Sequence, residues 1–332
     1  MIKWYLTIRE IRKQERPVLA IDIGGTKMAM AIISEKGNMI ARQTQPTLAS
    51  LGPQAVIERL FSSIDRFLRE SRLSPNQLSA ISLATAGVID IRKNLVTASP
   101  NLPGWHNVAL RSLVAEKYRR ATYLINDADA AALGEHRFGA GRRLNSLILL
   151  TLGTGIGGGI IIDGKLYLGS TGSAAEIGHM VIKADGPVCS CGRNGCLEAL
   201  ASGSAIAREA ISRLRLGEPS ALIKMADGKM ENITAATVNL AAKNGDALAR
   251  EVIAQAAYYL GVGVVNLVNI FNPEMVIIGG SVADMGDLLL QPVRQMVAER
   301  AFPLYAQTVR IAPARLGNDA GLFGAAIYAR EQ

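Results

Sequence analysis

The chain is short of the features that would place it outside a cell or in a membrane. Only three of its 332 residues are cysteine, and all three lie between positions 189 and 196. So few, so close together and odd in number, they argue against a disulfide framework and for a metal site. The first sixteen residues, MIKWYLTIREIRKQER, interleave Trp4, Tyr5 and Leu6 with charges of both signs. No apolar core of secretory length forms there. Apolar stretches such as LILL at 147–150 are broken by glycine or charge before they reach a membrane-spanning length. A cytoplasmic protein with no membrane partner is therefore expected. Linkers, low-complexity tracts and short-period repeats are also missing.

A stripe of basic residues interleaved with aromatics is absent as well. The net charge is +8, but the basic residues come in scattered pairs such as Arg12 and Lys13, Arg119 and Arg120, and Arg142 and Arg143. This distribution does not fit a nucleic-acid partner, although the overall charge suits an acidic small molecule such as a nucleotide or polyphosphate. With 49% hydrophobic and 19% charged residues the composition is that of a compact globular protein, and the length allows two core-forming lobes.

What is present begins at Pro17. VLAIDIGGTKMAMAIIS reads as strand, tight glycine turn and returning strand. SLILLTLGTGIGGGIIIDG, from Ser146 to Gly164, repeats that shape with Gly153 standing 129 positions after Gly24. Helical patterns are expected at 54–70, 204–215, 234–243 and 246–269, with strands at 80–87, 123–126 and 275–278. The last of these strands ends in Gly279 and Gly280. Strands alternating with helices predict a mainly parallel sheet in each lobe. The closing segment NDAGLFGAAIYARE predicts a helix whose alanines and glycines allow close packing.

Four constellations carry chemistry. In the first, Asp22 ends a strand and Gly24, Gly25, Thr26 and Lys27 follow. Glycines let backbone amides approach phosphate oxygens, Thr26 adds a hydroxyl, and Asp22 suits a hydrated magnesium ion. Taken alone, this is also an ordinary hairpin turn. In the second, Gly153, Thr154 and Gly155 lead into Gly157, Gly158 and Gly159. No GK[ST] ending follows and a strand rather than a helix comes next, so this is neither a Walker loop nor a dinucleotide fingerprint. Two such turns at matching positions are more specific than either one, because each can grip one side of a triphosphate.

In the third, Asn126 and Asp127 stand where a strand hands over to a helix. Asp127 is either a helix cap or a general base for a hydroxyl, and Asp129, two residues on, should face elsewhere. In the fourth, His179, Cys189, Cys191 and Cys196 suit a closed Cys₃His zinc site with no position left for water. Reduced thiols beside an unrelated histidine are the alternative. Glu176 and Glu198 flank this loop, so a metal that fixes it would also fix two acids able to grip sugar hydroxyls, the alternative being a pair of surface glutamates.

Together these segments resemble the ROK family of sugar kinases and repressors. IDIGGTK is similar to its first phosphate loop, NDADAAALGE to its catalytic segment and LGTGIGGG to its second phosphate loop. EIGH with CSCGRNGCLE is similar to its sugar and zinc signature. The resemblance implies an α/β, two-lobed actin-like or hexokinase-like (ribonuclease H-like) duplicated fold whose lobes close on substrate. The lobes would be 17–140, with 318–332 packing back on it, and 141–317.

The implied activity is ATP-dependent phosphorylation of a hexose, with ATP, Mg²⁺ and a structural Zn²⁺. Asp127 would be the base, and Asn101, Asn126, Glu176, His179 and Glu198 would bind sugar with it. Asp22, Gly24, Gly25, Thr26, Lys27, Gly153, Thr154, Gly155, Gly279 and Gly280 would hold the nucleotide. His179, Cys189, Cys191 and Cys196 would hold zinc. SPNLPGW, residues 99–105, resembles the loop of glucose-type members. Ala175, where many of those carry glycine, is similar to N-acetylmannosamine kinases, and Asp129 departs from a frequent asparagine. Glucose is the first acceptor expected, with N-acetylmannosamine, N-acetylglucosamine or fructose as alternatives. A sugar-sensing repressor is a further one, which the sixteen residues before the first expected strand leave too little chain to supply with a DNA-binding domain. A homodimer or tetramer is implied too.

Overall fold

The computed structural model describes residues 3–4, 16–99 and 101–332. Most of the N-terminal stretch without a secretory core lies outside them, as does Pro100 of the SPNLPGW segment. The chain divides into two compact units. One comprises Met1–Arg143, Leu166–Ala174 and Asn318–Gln332, the other Leu144–Lys165 and Ala175–Gly317.

In the first unit, strands β1 (Lys3–Trp4), β2 (Val18–Ile23), β3 (Lys27–Ile33), β4 (Met39–Pro46) and β5 (Ala80–Thr85) precede three short strands. These are β6 (Val88–Asp90), β7 (Leu95–Ala98) and β8 (His106–Val108), and β9 (Thr122–Asn126) follows. The main sheet runs β1-β4-β3-β2-β5-β9, and β6, β7 and β8 form a separate small sheet. β2 pairs antiparallel with β3 and parallel with β5, and β5 is parallel to β9. The sheet is therefore mixed, not mainly parallel, because the tight turns after β2 and β3 return the chain beside itself. β1, paired antiparallel with β4, also precedes the strand at which the sequence reading began.

Apart from Asp22 the residues of β2 are apolar and buried on both faces, as a central strand requires. Helix α1 (Gly52–Glu70) carries Pro53 in its first turn and buries Val56, Ile57, Leu60, Ile64, Phe67 and Leu68 at three- and four-residue spacing. Helices α2 (Leu110–Tyr118) and α3 (Asp127–Arg137) follow. The C-terminal helix, Ala320–Arg330, meets α3 almost backbone to backbone. A Cβ on Gly134 would lie 2.2 Å from the Ala320 carbonyl oxygen, and one on Gly324 would lie 1.5 Å from that of Ala130. This packing holds α3, whose first residue is Asp127, against the C-terminal helix.

The second unit repeats the scheme with β10 (Leu147–Leu152), β11 (Ile156–Ile162), β12 (Lys165–Leu166), β13 (Met275–Gly279) and β14 (Arg310–Pro313), ordered β12-β11-β10-β13-β14. β10 and β11 form an antiparallel hairpin, while β10, β13 and β14 are parallel. The hairpin turns follow Ile23 and Leu152, again 129 residues apart.

Its helices are α4 (Leu197–Ala201), α5 (Gly203–Arg215), α6 (Leu222–Met225), α7 (Ala235–Lys243), α8 (Ala247–Phe271), α9 (Asp287–Arg300) and α10 (Pro303–Thr308). α8 corrects the expectation that apolar stretches end early: at 25 residues it is long and apolar enough to cross a membrane. Its Val252, Leu260, Val264 and Val268 are buried in one core with Ile148, Leu150, Ile278 and Val293. Gly261 and Gly263 interrupt the sequence pattern but not the helix, and they admit Met296 and Leu197.

Candidate functional site

In the first unit the turn after β2 is closed by the Gly24 N–H, which donates to the Lys27 carbonyl at 3.0 Å. Buried Thr47 holds the turn from behind. Its hydroxyl donates to the Gly24 carbonyl at 2.7 Å, and its N–H donates to that of Thr26 at 3.0 Å. A Cβ on Gly25 would lie 2.5 Å from the Asn101 carbonyl oxygen, so glycine is what lets the Asn101 loop lie against the turn. Thr26 and Lys27 are exposed, and Lys27 Nζ donates to Asn318 Oδ1 at 2.7 Å.

Asp22, one residue before the strand ends, lies under the C-terminal helix. A Cβ on Gly321 would lie 2.8 Å from its Oδ2, so that glycine makes room for the carboxylate. Burial, then the charges of Asp127 and Asp319, push the Asp22 pKa up to about 7, with Lys27 opposing. Lys27 offsets that rise only in part, which suits a site completed by a cation.

At the end of β9 it is Asn126 that caps α3. Its Oδ1 accepts from the amides of Ala128 and Asp129 at 2.8 and 3.2 Å, and its Nδ2 donates to the Gly87 carbonyl at 3.0 Å. With both oxygen lone pairs used, the second amide hydrogen of Asn126 is what it can still donate. Asp127 is thereby released from capping. Its Oδ1 shares the Ala128 amide at 3.0 Å, and burial raises its pKa while that amide opposes the rise. Asp129 is buried in the first turn of α3, where its charge acts on Tyr328 of the C-terminal helix, in keeping with its spacing.

In the second unit Gly153, Thr154 and Gly155 make the turn itself, while Gly157, Gly158 and Gly159 lie in β11 opposite Thr151, Leu150 and Leu149. Gly158 is there for packing, since a Cβ would lie 2.5 Å from the Ile177 side chain. The Gly153 carbonyl accepts from the Gly203 amide at 2.8 Å, so the turn sits at the start of α5. Gly279 ends β13 beside Thr151, and Gly280 follows at φ +84° with only 2.3 Å between a would-be Cβ and the Leu152 carbonyl oxygen. The Gly153–Gly155 turn and Gly279–Gly280 thus lie at one end of one sheet. Glu198, from α4, accepts the Ile156 N–H through Oε2 at 2.9 Å.

His179, Cys189, Cys191 and Cys196 offer four ligand atoms within 4.8 Å of one another. Cys189 Sγ lies 3.7 Å from His179 Nδ1, and Cys191 Sγ 3.7 Å from Cys196 Sγ. Zinc–sulfur bonds of about 2.3 Å in a tetrahedron require edges of about 3.8 Å, so the donor set fits Zn²⁺. Gly195, at φ +73°, allows the loop to fold back on Lys183. With Nδ1 toward the thiols, His179 presents Nε2 to Glu176 Oε2 at 3.9 Å. Ala175, just before Glu176, takes φ +63°, a left-handed conformation that glycine adopts at less cost.

Sequence reasoning named these groups but missed Thr47, Ser190, Asn318 and Gly321. Each acts on a partner through hydrogen bonding or close approach that no local spacing announces. Glycine in the Ala- and Gly-rich closing helix was the one available signal, and it pointed to close packing without naming Asp22.

Two units built on one hairpin-and-crossover sheet, each with a glycine turn at the same strand end, define the actin-like, hexokinase-like class of fold. The sequence profile of the ROK family matches residues 18–332, and the chain belongs to that family. It is 37% identical to a glucokinase of Thermotoga maritima over 95% of this chain and 98% of that one. A xylose repressor of Caldicellulosiruptor bescii is 33% identical over 95% of this chain and 78% of its own. Among solved structures, the ROK family glucokinase from Streptomyces griseus in complex with glucose and AMPPNP superposes with a TM-score of 0.83. It is 33% identical over 95% of this chain and all of that one.

Proposed function

We propose that the chain is an ATP-dependent hexose kinase that transfers the γ-phosphoryl group to glucose, giving glucose 6-phosphate and ADP. The observation that carries this reading is the chain-long likeness to a glucokinase complexed with glucose and AMPPNP, in a chain that keeps Asp127 free of capping and both glycine turns. In the first unit this reading assigns Asn101, Asn126 and Asp127 to the sugar and Gly24, Gly25, Thr26 and Lys27 to phosphate. In the second unit it assigns Glu176, His179 and Glu198 to the sugar and Gly153, Thr154, Gly155, Gly279 and Gly280 to phosphate.

Asp127 accepts the proton of the attacking sugar hydroxyl as the oxygen–phosphorus bond forms and the bond to the β-phosphate oxygen breaks. A raised pKa makes it a better proton acceptor, provided it is ionised at working pH. Backbone amides of the glycine turns take up charge on the transferring group. Asp22 would hold Mg²⁺, which when bound neutralises charge on the phosphate oxygens. His179 and the three cysteines would hold Zn²⁺, whose contribution is to fix their loop. In the second unit Ile270, Phe302 and Leu304 are each about two-thirds exposed, which supports a homodimer built on that face.

Likeness to a xylose repressor favours a second reading, a sugar-responsive regulator that binds but does not phosphorylate. A coupled ADP-release assay separates the two. It would offer glucose, mannose, fructose, N-acetylglucosamine, N-acetylmannosamine and xylose, with ATP or polyphosphate as donor. The expected result is the highest kcat/KM with glucose and ATP. Sugar binding without ADP release from any acceptor would sink the kinase reading.

A further inference from the structure

The two oxygens of Glu198 serve different loops. Oε2 takes the N–H of Ile156, the residue that opens β11 after the Gly153–Gly155 turn, at 2.9 Å. Oε1 accepts the Ser190 hydroxyl at 2.6 Å and lies 3.6 Å from Cys189 Sγ, both in the cysteine loop. Glu198 follows Cys196 by two residues in the first turn of α4, so its backbone is also tied to that loop. The fit leaves no slack on the turn side, because a Cβ on Gly155 would lie 2.3 Å from Oε2.

We infer that Ser190 and Glu198 are positioning residues for the nucleotide: the cysteine loop sets the shape of the second phosphate turn through the chain Ser190 hydroxyl, Glu198 carboxylate, Ile156 amide. The inference rests on the kinase reading above and adds to the sugar-binding role given there to Glu198. A carboxylate that accepts a backbone amide makes a charge-assisted bond, stronger than a neutral one. Held from both sides, it keeps a single rotamer and hands that order to the turn. Nucleotide affinity thus depends on a hydroxyl in the cysteine loop that belongs to no phosphate-binding segment. Ser190 is exposed, so its hydroxyl can be removed without opening a cavity.

The test measures binding of the non-hydrolysable analogue AMPPNP with Mg²⁺ and without sugar, by titration calorimetry, to the wild type and three variants. Glu198→Ala should bind about tenfold more weakly, and Ser190→Ala and Glu198→Gln, which keeps one oxygen for Ile156 but neither the charge nor the second acceptor, about threefold. The Ile156 amide proton, followed by NMR, should exchange faster in all three variants and fastest in Glu198→Ala. Wild-type affinity and Ile156 exchange in both Ser190→Ala and Glu198→Ala would overturn the inference. If the wild type fails to bind AMPPNP, the kinase reading falls, and Ile156 exchange still decides whether the carboxylate orders the turn.

Discussion

Gly324 faces the backbone of Ala130 so closely that a single methyl group on it would lie 1.5 Å from the Ala130 carbonyl oxygen. No rotamer relieves such a clash, so the C-terminal helix and α3 would have to separate. Gly324→Ala should therefore destabilise the protein by roughly 2–3 kcal/mol, although alanine is the better helix former. Chemical denaturation gives the measurement. A variant as stable as the wild type would show that the two helices can part at little cost.

Asp127→Asn tests the base. It keeps the shape and an oxygen for the Ala128 amide but cannot accept a proton at neutral pH. Glucose affinity should change little, while kcat falls by about 10²–10⁴-fold. Direct titration with glucose and steady-state kinetics separate the two effects, and a normal kcat would remove Asp127 from the chemistry.

Asp22 predicts a pH dependence of stability. Its pKa is raised from 3.8 to about 7 by burial and by Asp127 and Asp319. The folded chain then holds this proton over a range where the unfolded chain has lost it. Its contribution to stability is present below the unfolded value and is lost as pH rises through the folded one. Thermal unfolding of the unliganded protein from pH 4 to 8 should show Asp22→Asn gaining stability relative to the wild type as pH increases. A constant difference between the two would contradict the shift.

Removing metal should act on the sugar. A chelator that strips the Cys₃His site should raise the KM for glucose about 10–100-fold, since His179 loses its anchor and Glu176 and Glu198 lose the loop between them. The folded state of the stripped sample is checked by circular dichroism. An unchanged KM in a folded, metal-free sample would disconnect the cysteine loop from sugar binding.

Ala175→Gly should stabilise. The residue sits at φ +63°, a conformation that costs a Cβ-bearing residue about 1–2 kcal/mol and glycine little. After the entropy that glycine loses on folding, a gain of about 0.5–1 kcal/mol remains. Most alanine-to-glycine changes go the other way, so the direction alone is diagnostic in a denaturation curve.

The class of fold and the candidate groups were legible in the sequence, and the contacts that hold those groups were not. Asp22, Asp127, the glycine turns and the cysteine cluster announce themselves because their residue types are restricted and their spacing is local. The 129-residue offset between Gly24 and Gly153 likewise survives as the spacing of the two hairpins. What the pattern could not carry are contacts made across the chain. Thr47 props the first turn from 23 residues away, Gly321 makes room for Asp22, and Ser190 reaches Ile156 only through Glu198. Alternation of strands and helices suggested parallel sheets, yet β3 and β4 return by tight turns and mix the directions. Gly261 and Gly263 fall inside the helix expected at 246–269, and in α8 they are places where a neighbour comes close.

The crowding of Asp22, Asp127 and Asp319 bears on the order in which ligands arrive. Above its raised value Asp22 is charged beside Asp127 and Asp319, offset in part by Lys27 and by Arg42 on Asp319. A polyanionic donor then gains from bringing its own countercharge. Uncomplexed ATP should accordingly be a feeble competitor against its magnesium salt.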